Sequence, residues 1–128
     1  VISINGGVQL DLMGQENAES TGTRQLSGVG GQMDFLEGAY RSKGGKGFIC
    51  INSSRVTKDG ERKSNILATI PGGSTISAPR TMIQYVVTEY GIASLSGKTL
   101  RERAEAMASI AHPDFREELM KYAQENFK

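Results

Sequence analysis

The sequence predicts an α/β domain, because short β-branched runs separated by turn residues fill its middle, one amphipathic helix precedes them and two helices close the chain. Val1 to Ile4 and Val8 to Leu12 alternate apolar and polar residues at the period of a strand, with a Gly6-Gly7 kink between them. A polar, glycine-punctuated stretch then runs from Gly14 to Ser27. Met33, Leu36 and Tyr40 recur at helical spacing and Gly44-Gly45 ends that helix. Four strands are expected at Phe48 to Ile51, Ile66 to Ile70, Thr75 to Ala78 and Tyr85 to Thr88, with a polar Asp59-Gly60 turn between the first two. Thr99 to Glu102 reads as a capping box, and His112-Pro113-Asp114 breaks the helix it opens and starts another. Strands in this order call for a mixed or parallel sheet covered on its faces.

The 128 residues suit one domain with a real core. Fifteen Lys and Arg against 14 Asp and Glu create no field that would draw the chain to nucleic acid or to a membrane surface. No run approaches the roughly 18 apolar residues of a membrane span, and the single cysteine, Cys50, excludes an internal disulfide, so a soluble cytoplasmic setting is expected. Its apolar neighbours mark Cys50 as a buried structural thiol. The chain starts in a strand-like segment without methionine, as expected of a fragment.

The strongest local signal for chemistry is S-G-V-G-G-Q, Ser27 to Gln32, ahead of the first helix. Glycines let a ligand approach the backbone, and the unpaired N–H groups of a helix start favour an anion or a developing oxyanion. A tight loop without a ligand is the plain alternative. The turn is neither a P-loop nor a dinucleotide fingerprint. One histidine and one cysteine cannot build a zinc site, and His112 suits a helix cap. Glu89 ends a strand where α/β sheets place ligands, although capping a turn or pairing with an arginine explains it as well. Glu16 and Glu19 are expected to be solvated, and Lys58 is a solvated charge unless a phosphate meets it.

Four runs, taken in order, are S-I-N-G-G-V-Q-L-D-L-M-G-Q-E-N-A-E-S, S-G-V-G-G-Q-M-D-F-L-E-G-A, Y-V-V-T-E-Y-G-I-A-S-L-S-G-K-T-L-R-E-R-A-E-A and I-A-H-P-D-F-R-E-E-L. From Ser3 to about Leu119 they resemble the C-terminal domain of the acetyl-CoA hydrolase / 4-hydroxybutyrate CoA-transferase family. The resemblance implies a NagB/RpiA/CoA-transferase-like three-layer α/β domain with a mixed, largely parallel sheet, residues 1–128 being the C-terminal part of a longer enzyme. In that family a glutamate attacks the acyl-CoA carbonyl, and a glutamyl-CoA thioester then passes CoA to a second carboxylate. The glutamate belongs to a His-Ser/Thr-Glu segment that this chain lacks; Thr88-Glu89 belongs to the separate V-T-E-Y-G motif.

Carried over by position, the family's CoA contacts fall on Val8, Ser27, Gly31 and Lys58. Gly31 is the backbone donor to the oxyanion, and Asn5 shapes the same pocket. The resemblance further implies acyl-CoA (4-hydroxybutyryl-, butyryl- or acetyl-CoA) and a small carboxylate such as acetate as substrates, with no tightly bound cofactor and no metal. The implied partner is the N-terminal domain of the same protein, and a homo-oligomer is compatible with this reading. Acetyl-CoA hydrolase, a non-catalytic nucleotide-binding module and a regulatory domain remain the alternatives.

Overall fold

The computed structural model describes residues 1–28 and 30–128; Val29 of S-G-V-G-G-Q lies outside the described residues. The chain opens with strands β1 (Ile2–Gly6), β2 (Gln9–Asp11), β3 (Glu16–Asn17), β4 (Ser20–Thr21) and β5 (Arg24–Gln25), then helix α1 (Gln32–Arg41). Strands β6 (Lys46–Cys50), β7 (Ser54–Val56), β8 (Arg62–Ser64) and β9 (Ile66–Leu67) follow, and a 3-10 turn at Arg80–Met82 leads to β10 (Tyr85–Thr88) and β11 (Gly91–Ser94). Helices α2 (Leu100–Ser109) and α3 (Pro113–Asn126) complete it.

The main sheet has the order β1-β6-β10-β11, with β1 and β10 both parallel to β6 and β11 antiparallel to β10. This is the mixed sheet of an α/β domain. Connecting β1 to its parallel neighbour β6 requires a crossover, which α1 supplies, and the start of α1 therefore falls at the C-terminal ends of the strands. Gly44 takes φ +69°, and a Cβ on Gly45 would collide with the Ala39 carbonyl and the Ser42 hydroxyl, so the chain closes α1 and re-enters β6 only as glycine.

Register assigns the faces of this sheet. Ser3, Gly47, Ile49, Val86 and Ala93 are buried on one face, where Leu36 of α1 meets Gly47 and Ile110 meets Gly91. The alternate residues Ile2, Ile4 and Ile92 are 66%, 68% and 62% exposed on the other face, beside the stacked rings of Phe48 and Tyr85 at 5.0 Å. Cys50 lies in this second set and is half-buried, so the expectation of a buried thiol is corrected by the strand's alternation.

Other departures have local causes. The polar stretch from Gly14 to Ser27 is not a bare loop; β3 pairs with β2, and β4 with β5. Thr75 to Ala78 forms no strand, because its amides are spent singly: Thr75 N–H donates to the Ser20 hydroxyl (3.0 Å) and Ser77 N–H to the Glu16 carbonyl (2.7 Å). The strand at Ile66 stops at Leu67, short of Ile70. The Asp59-Gly60 turn does join the β7–β8 hairpin, with Gly60 at φ +83°. Thr99 and Glu102 form the reciprocal capping box, and the His112 ring accepts a hydrogen bond from Asp114 N–H at 3.1 Å as the cap of α3.

Arg103 is 8% exposed and donates to the carbonyls of Met13 (2.9 Å), Leu95 (3.0 Å) and Arg80 (2.7 Å), tying three loops to α2. Among the described residues no helix is long and apolar enough to cross a membrane.

Candidate active site

Val8 and Glu89 follow the C-terminal ends of β1 and β10, Lys58 lies beyond the end of β6, and Gly31 opens the helix that crosses from β1 to β6, at the edge where α/β sheets present their ligand sites. Strand β1 ends at Gly6, and Gly7 N–H then donates to the Cys50 carbonyl (3.2 Å), so the chain turns where β6 also ends. Asn5, one residue earlier, is half-buried with its side-chain amide on the Ser3 hydroxyl (2.7 Å). Val8 is 37% exposed and its N–H donates to the Asn17 carbonyl at 3.0 Å, which leaves its side chain at the rim.

The glycine turn stands at the start of α1. Gly31 is the N-cap, with φ −98° and ψ 6°, and no side chain caps the helix there. Its carbonyl accepts from Phe35 N–H at 3.1 Å. The left-handed residue is Gly30, at φ +62°. Gly28, Gly30 and Gly31 are all exposed; a Cβ on Gly28 or Gly30 would meet nothing within 4 Å, and one on Gly31 only the exposed Phe35 ring, 3.2 Å away. These three glycines are thus not packed into the domain's own core. Ser27 is exposed and is held from below, since its N–H donates to the Glu19 carbonyl (3.1 Å) and its carbonyl accepts from the Gln25 amide (2.6 Å).

Lys58 is exposed at the tip of the β7–β8 hairpin, which leaves the same edge of the sheet just after β6. Glu89 follows β10 at that edge and is exposed; it accepts from Ser53 N–H at 2.8 Å and so caps the turn that leaves β6. Desolvation pulls the Glu89 carboxyl up, but the hydrogen bonds from Ser53 and from its own backbone outweigh this and leave it below the ordinary carboxylate value.

Two residues read as solvated prove otherwise. Glu16 is fully buried and Glu19 is 8% exposed. The reason is tertiary: β3 is clasped between β2 and Ala78, with Glu16 N–H on the Ala78 carbonyl at 3.0 Å, so the Glu16 side chain is turned beneath the glycine turn. Both Glu16 oxygens accept from the Gln32 side-chain amide at 2.8 Å. Gly7 faces the same carboxyl, and a Cβ there would collide with Glu16 Oε2. Burial pushes the Glu16 carboxyl up to about 7, against the lowering effect of the Gln32 hydrogen bond. The signal in the sequence was slight, a charged residue between Gln15 and Asn17, and only the pairing of β3 turns it inward.

A groove of about 380 Å³ lies between β8–β9 and α3; it is lined by residues that include Gln9, Arg55, Ile66, Phe115 and Leu119, and by no described residue of the glycine turn. Val8, Ser27, Gly31 and Lys58 therefore lie on open surface of the domain.

The acetyl-CoA hydrolase/transferase C-terminal domain family matches residues 1–123. The chain belongs to this family. It is 50% identical to the butyryl-CoA:acetate CoA-transferase of Anaerostipes caccae over 96% of this chain and 28% of that protein. It is also 50% identical to the 4-hydroxybutyrate coenzyme A transferase of Clostridium kluyveri, over 99% of this chain and 29% of the relative. An acetyl-CoA hydrolase of Kluyveromyces lactis is 32% identical over 95% of this chain and 22% of its own length. Among solved structures, RipA from Yersinia pestis superposes with a TM-score of 0.84 at 42% identity, covering 98% of this chain and 27% of RipA. The chain spans less than a third of the length of these relatives.

Proposed function

We propose that this domain forms the CoA-contacting wall of an acyl-CoA:carboxylate CoA-transferase, with Gly31 N–H as the donor to the thioester oxyanion and Val8, Ser27 and Lys58 along the coenzyme. The observation that carries the reading is the exposed glycine turn at the N-terminus of α1, placed at the C-terminal edge of the sheet beside Val8 and Asn5. Backbone N–H groups at a helix start are pre-oriented and carry partial positive charge, so they stabilise the negative oxygen that forms when a carboxylate attacks a thioester.

The attacking carboxylate comes from a preceding domain of the same protein. Its oxygen bonds to the acyl carbon, the carbonyl oxygen takes up the negative charge opposite Gly31, and collapse expels CoA thiolate and leaves an acyl-glutamyl anhydride. Thiolate then attacks the glutamyl carbonyl, releases the free acid and leaves the glutamyl-CoA thioester, which a second carboxylate such as acetate opens in the same two steps. CoA enters as part of the substrate and leaves as part of the product.

The exposed sheet face at Ile2, Ile4 and Ile92 supports a larger assembly, since parallel strands are stable when both faces are covered. That face suits the N-terminal domain. Substrate preference toward butyryl- or 4-hydroxybutyryl-CoA with acetate rests on the names of the two relatives at 50% identity. The similarity to an acetyl-CoA hydrolase favours a second reading in which water opens the thioester.

The complete protein, incubated with butyryl-CoA and acetate, is expected to form acetyl-CoA and butyrate, and residues 1–128 alone to form neither. Gly31→Val in the complete protein should lower kcat by roughly 100-fold. Release of free CoA at a rate independent of acetate would establish the hydrolase instead, and an unchanged rate in Gly31→Val would remove Gly31 from the site.

A further inference from the structure

Glu16 holds a position that the domain's stability does not explain. Its side chain is fully buried, and among the described residues no Lys, Arg or His lies within ion-pair distance of it. A carboxyl taken out of water needs several donors, yet both of its oxygens share the single Gln32 amide at 2.8 Å. An apolar side chain of similar volume would be held there at less cost.

What the carboxyl does provide is a tether. Gln32 is the first residue of α1 and directly follows Gly31. Glu16 itself cannot drift, because its N–H is on the Ala78 carbonyl (3.0 Å) while its own carbonyl accepts from Ser77 (2.7 Å) and Ala78 (3.3 Å). On the far side Gly7 leaves just enough room for the carboxyl, with Ile49 and Ile51 closing the floor. The three glycines of the turn are exposed, and no side chain caps α1.

From this we infer that Glu16 is a positioning residue: acting through Gln32, it holds the start of α1, and with it the Gly31 peptide, at one height above the ends of β1 and β6. This inference rests on the reading of Gly31 as the oxyanion donor. An error of about 1 Å in such a donor can reduce turnover by up to 100-fold while leaving the rest of the coenzyme contacts in place.

The test uses the complete protein with four variants: Glu16→Met, Gln32→Met, the double substitution, and Glu16→Gln. Methionine fills the space without an acceptor or donor, so the fold is expected to persist. Each single methionine variant should lower kcat about tenfold with KM for acyl-CoA within twofold, and the double variant should fall no further, because both break one link. Glu16→Gln keeps a carbonyl oxygen for the Gln32 amide and should recover most of the loss. Backbone amide exchange at Phe35, whose N–H closes the first turn of α1 on the Gly31 carbonyl, should speed up equally in the three methionine variants and stay slow in Glu16→Gln.

Losses that multiply in the double variant would overturn the inference, as would a loss confined to KM or exchange rates that do not respond. A wild-type protein that transfers no CoA, yet shows the expected exchange pattern, would sink the transferase reading and leave the tether standing.

Discussion

Glu16 and Glu19 lie three residues apart, on β3 and just before β4, and both are removed from water. Around Glu19 each carboxylate oxygen has its own donor: the Gln25 amide at 2.9 Å on Oε1 and the Ser77 hydroxyl at 2.7 Å on Oε2. Its carbonyl also receives Leu26 N–H (2.7 Å) and Ser27 N–H (3.1 Å), so one residue ties the β4–β5 hairpin, the segment before Ala78 and the approach to the glycine turn into a single unit. Glu16 has one amide for both oxygens, and burial pushes its carboxyl up to about 7. Equal burial thus has opposite meanings. Where donors match acceptors the carboxylate is structural cement, and where they do not, its charge opposes folding and another role must explain it.

The largest effect expected from breaking this contrast is at Glu19. Glu19→Ala removes the acceptor of the buried Ser77 hydroxyl and one of the two acceptors of the exposed Gln25 amide, and should destabilise the protein by roughly 4 kcal/mol, read as a lower urea midpoint, since hydrogen bonds to charged groups contribute about 1.5–3 kcal/mol each. A loss below about 1 kcal/mol would show that the unit does not depend on this carboxylate.

At Glu16 the sign reverses. Its folded value of about 7 exceeds the ordinary glutamate value of 4.5, so between these two the folded state keeps a proton that the unfolded chain has lost. Stability from this group is therefore greatest below the lower value, declines as pH rises through the window and reaches its full penalty above about 7. Glu16→Gln carries no such charge and should match wild type at low pH but exceed it at pH 8 by about 3 kcal/mol. Urea unfolding at both ends of the range checks this, and equal gains at both would refer the effect to shape instead of charge.

A smaller change sharpens the same comparison from the other side. Gly7→Ala drives a methyl group into Glu16 Oε2 and against Ile49 and Ile51, and should cost about 2 kcal/mol. Combined with Glu16→Ala, which vacates the space, the cost should shrink well below the sum of the two single losses. Additive losses would place the collision elsewhere.

Much of the fold was legible in the residues. Periodicity identified α1, the capping box at Thr99 to Glu102 placed α2, and His112-Pro113 placed the start of α3, because these signals act within a few residues of themselves. The Asp59-Gly60 turn likewise announced the β7–β8 hairpin. Thr75 to Ala78 looked like a strand by composition and is not one, since Ser20 and Glu16 take its amides one at a time. β11 escaped notice because Gly91 to Ser94 is too short and small to signal a strand apart from its partner β10.

The candidate site divides in the same way. A glycine-rich helix start is a local property, and Ser27 to Gln32 declared it without help from the rest of the chain. The polar segment before it carried no hint that Glu16 and Glu19 point inward, because burial there comes from β2, from Ala78 and from α1, which are separate in sequence and meet only after folding. Residues alone determined the helix starts, the tight turns and the absence of internal disulfide pairing. Only the tertiary structure decided which polar groups lost their water, since hydration depends on neighbours brought from distant positions in the chain.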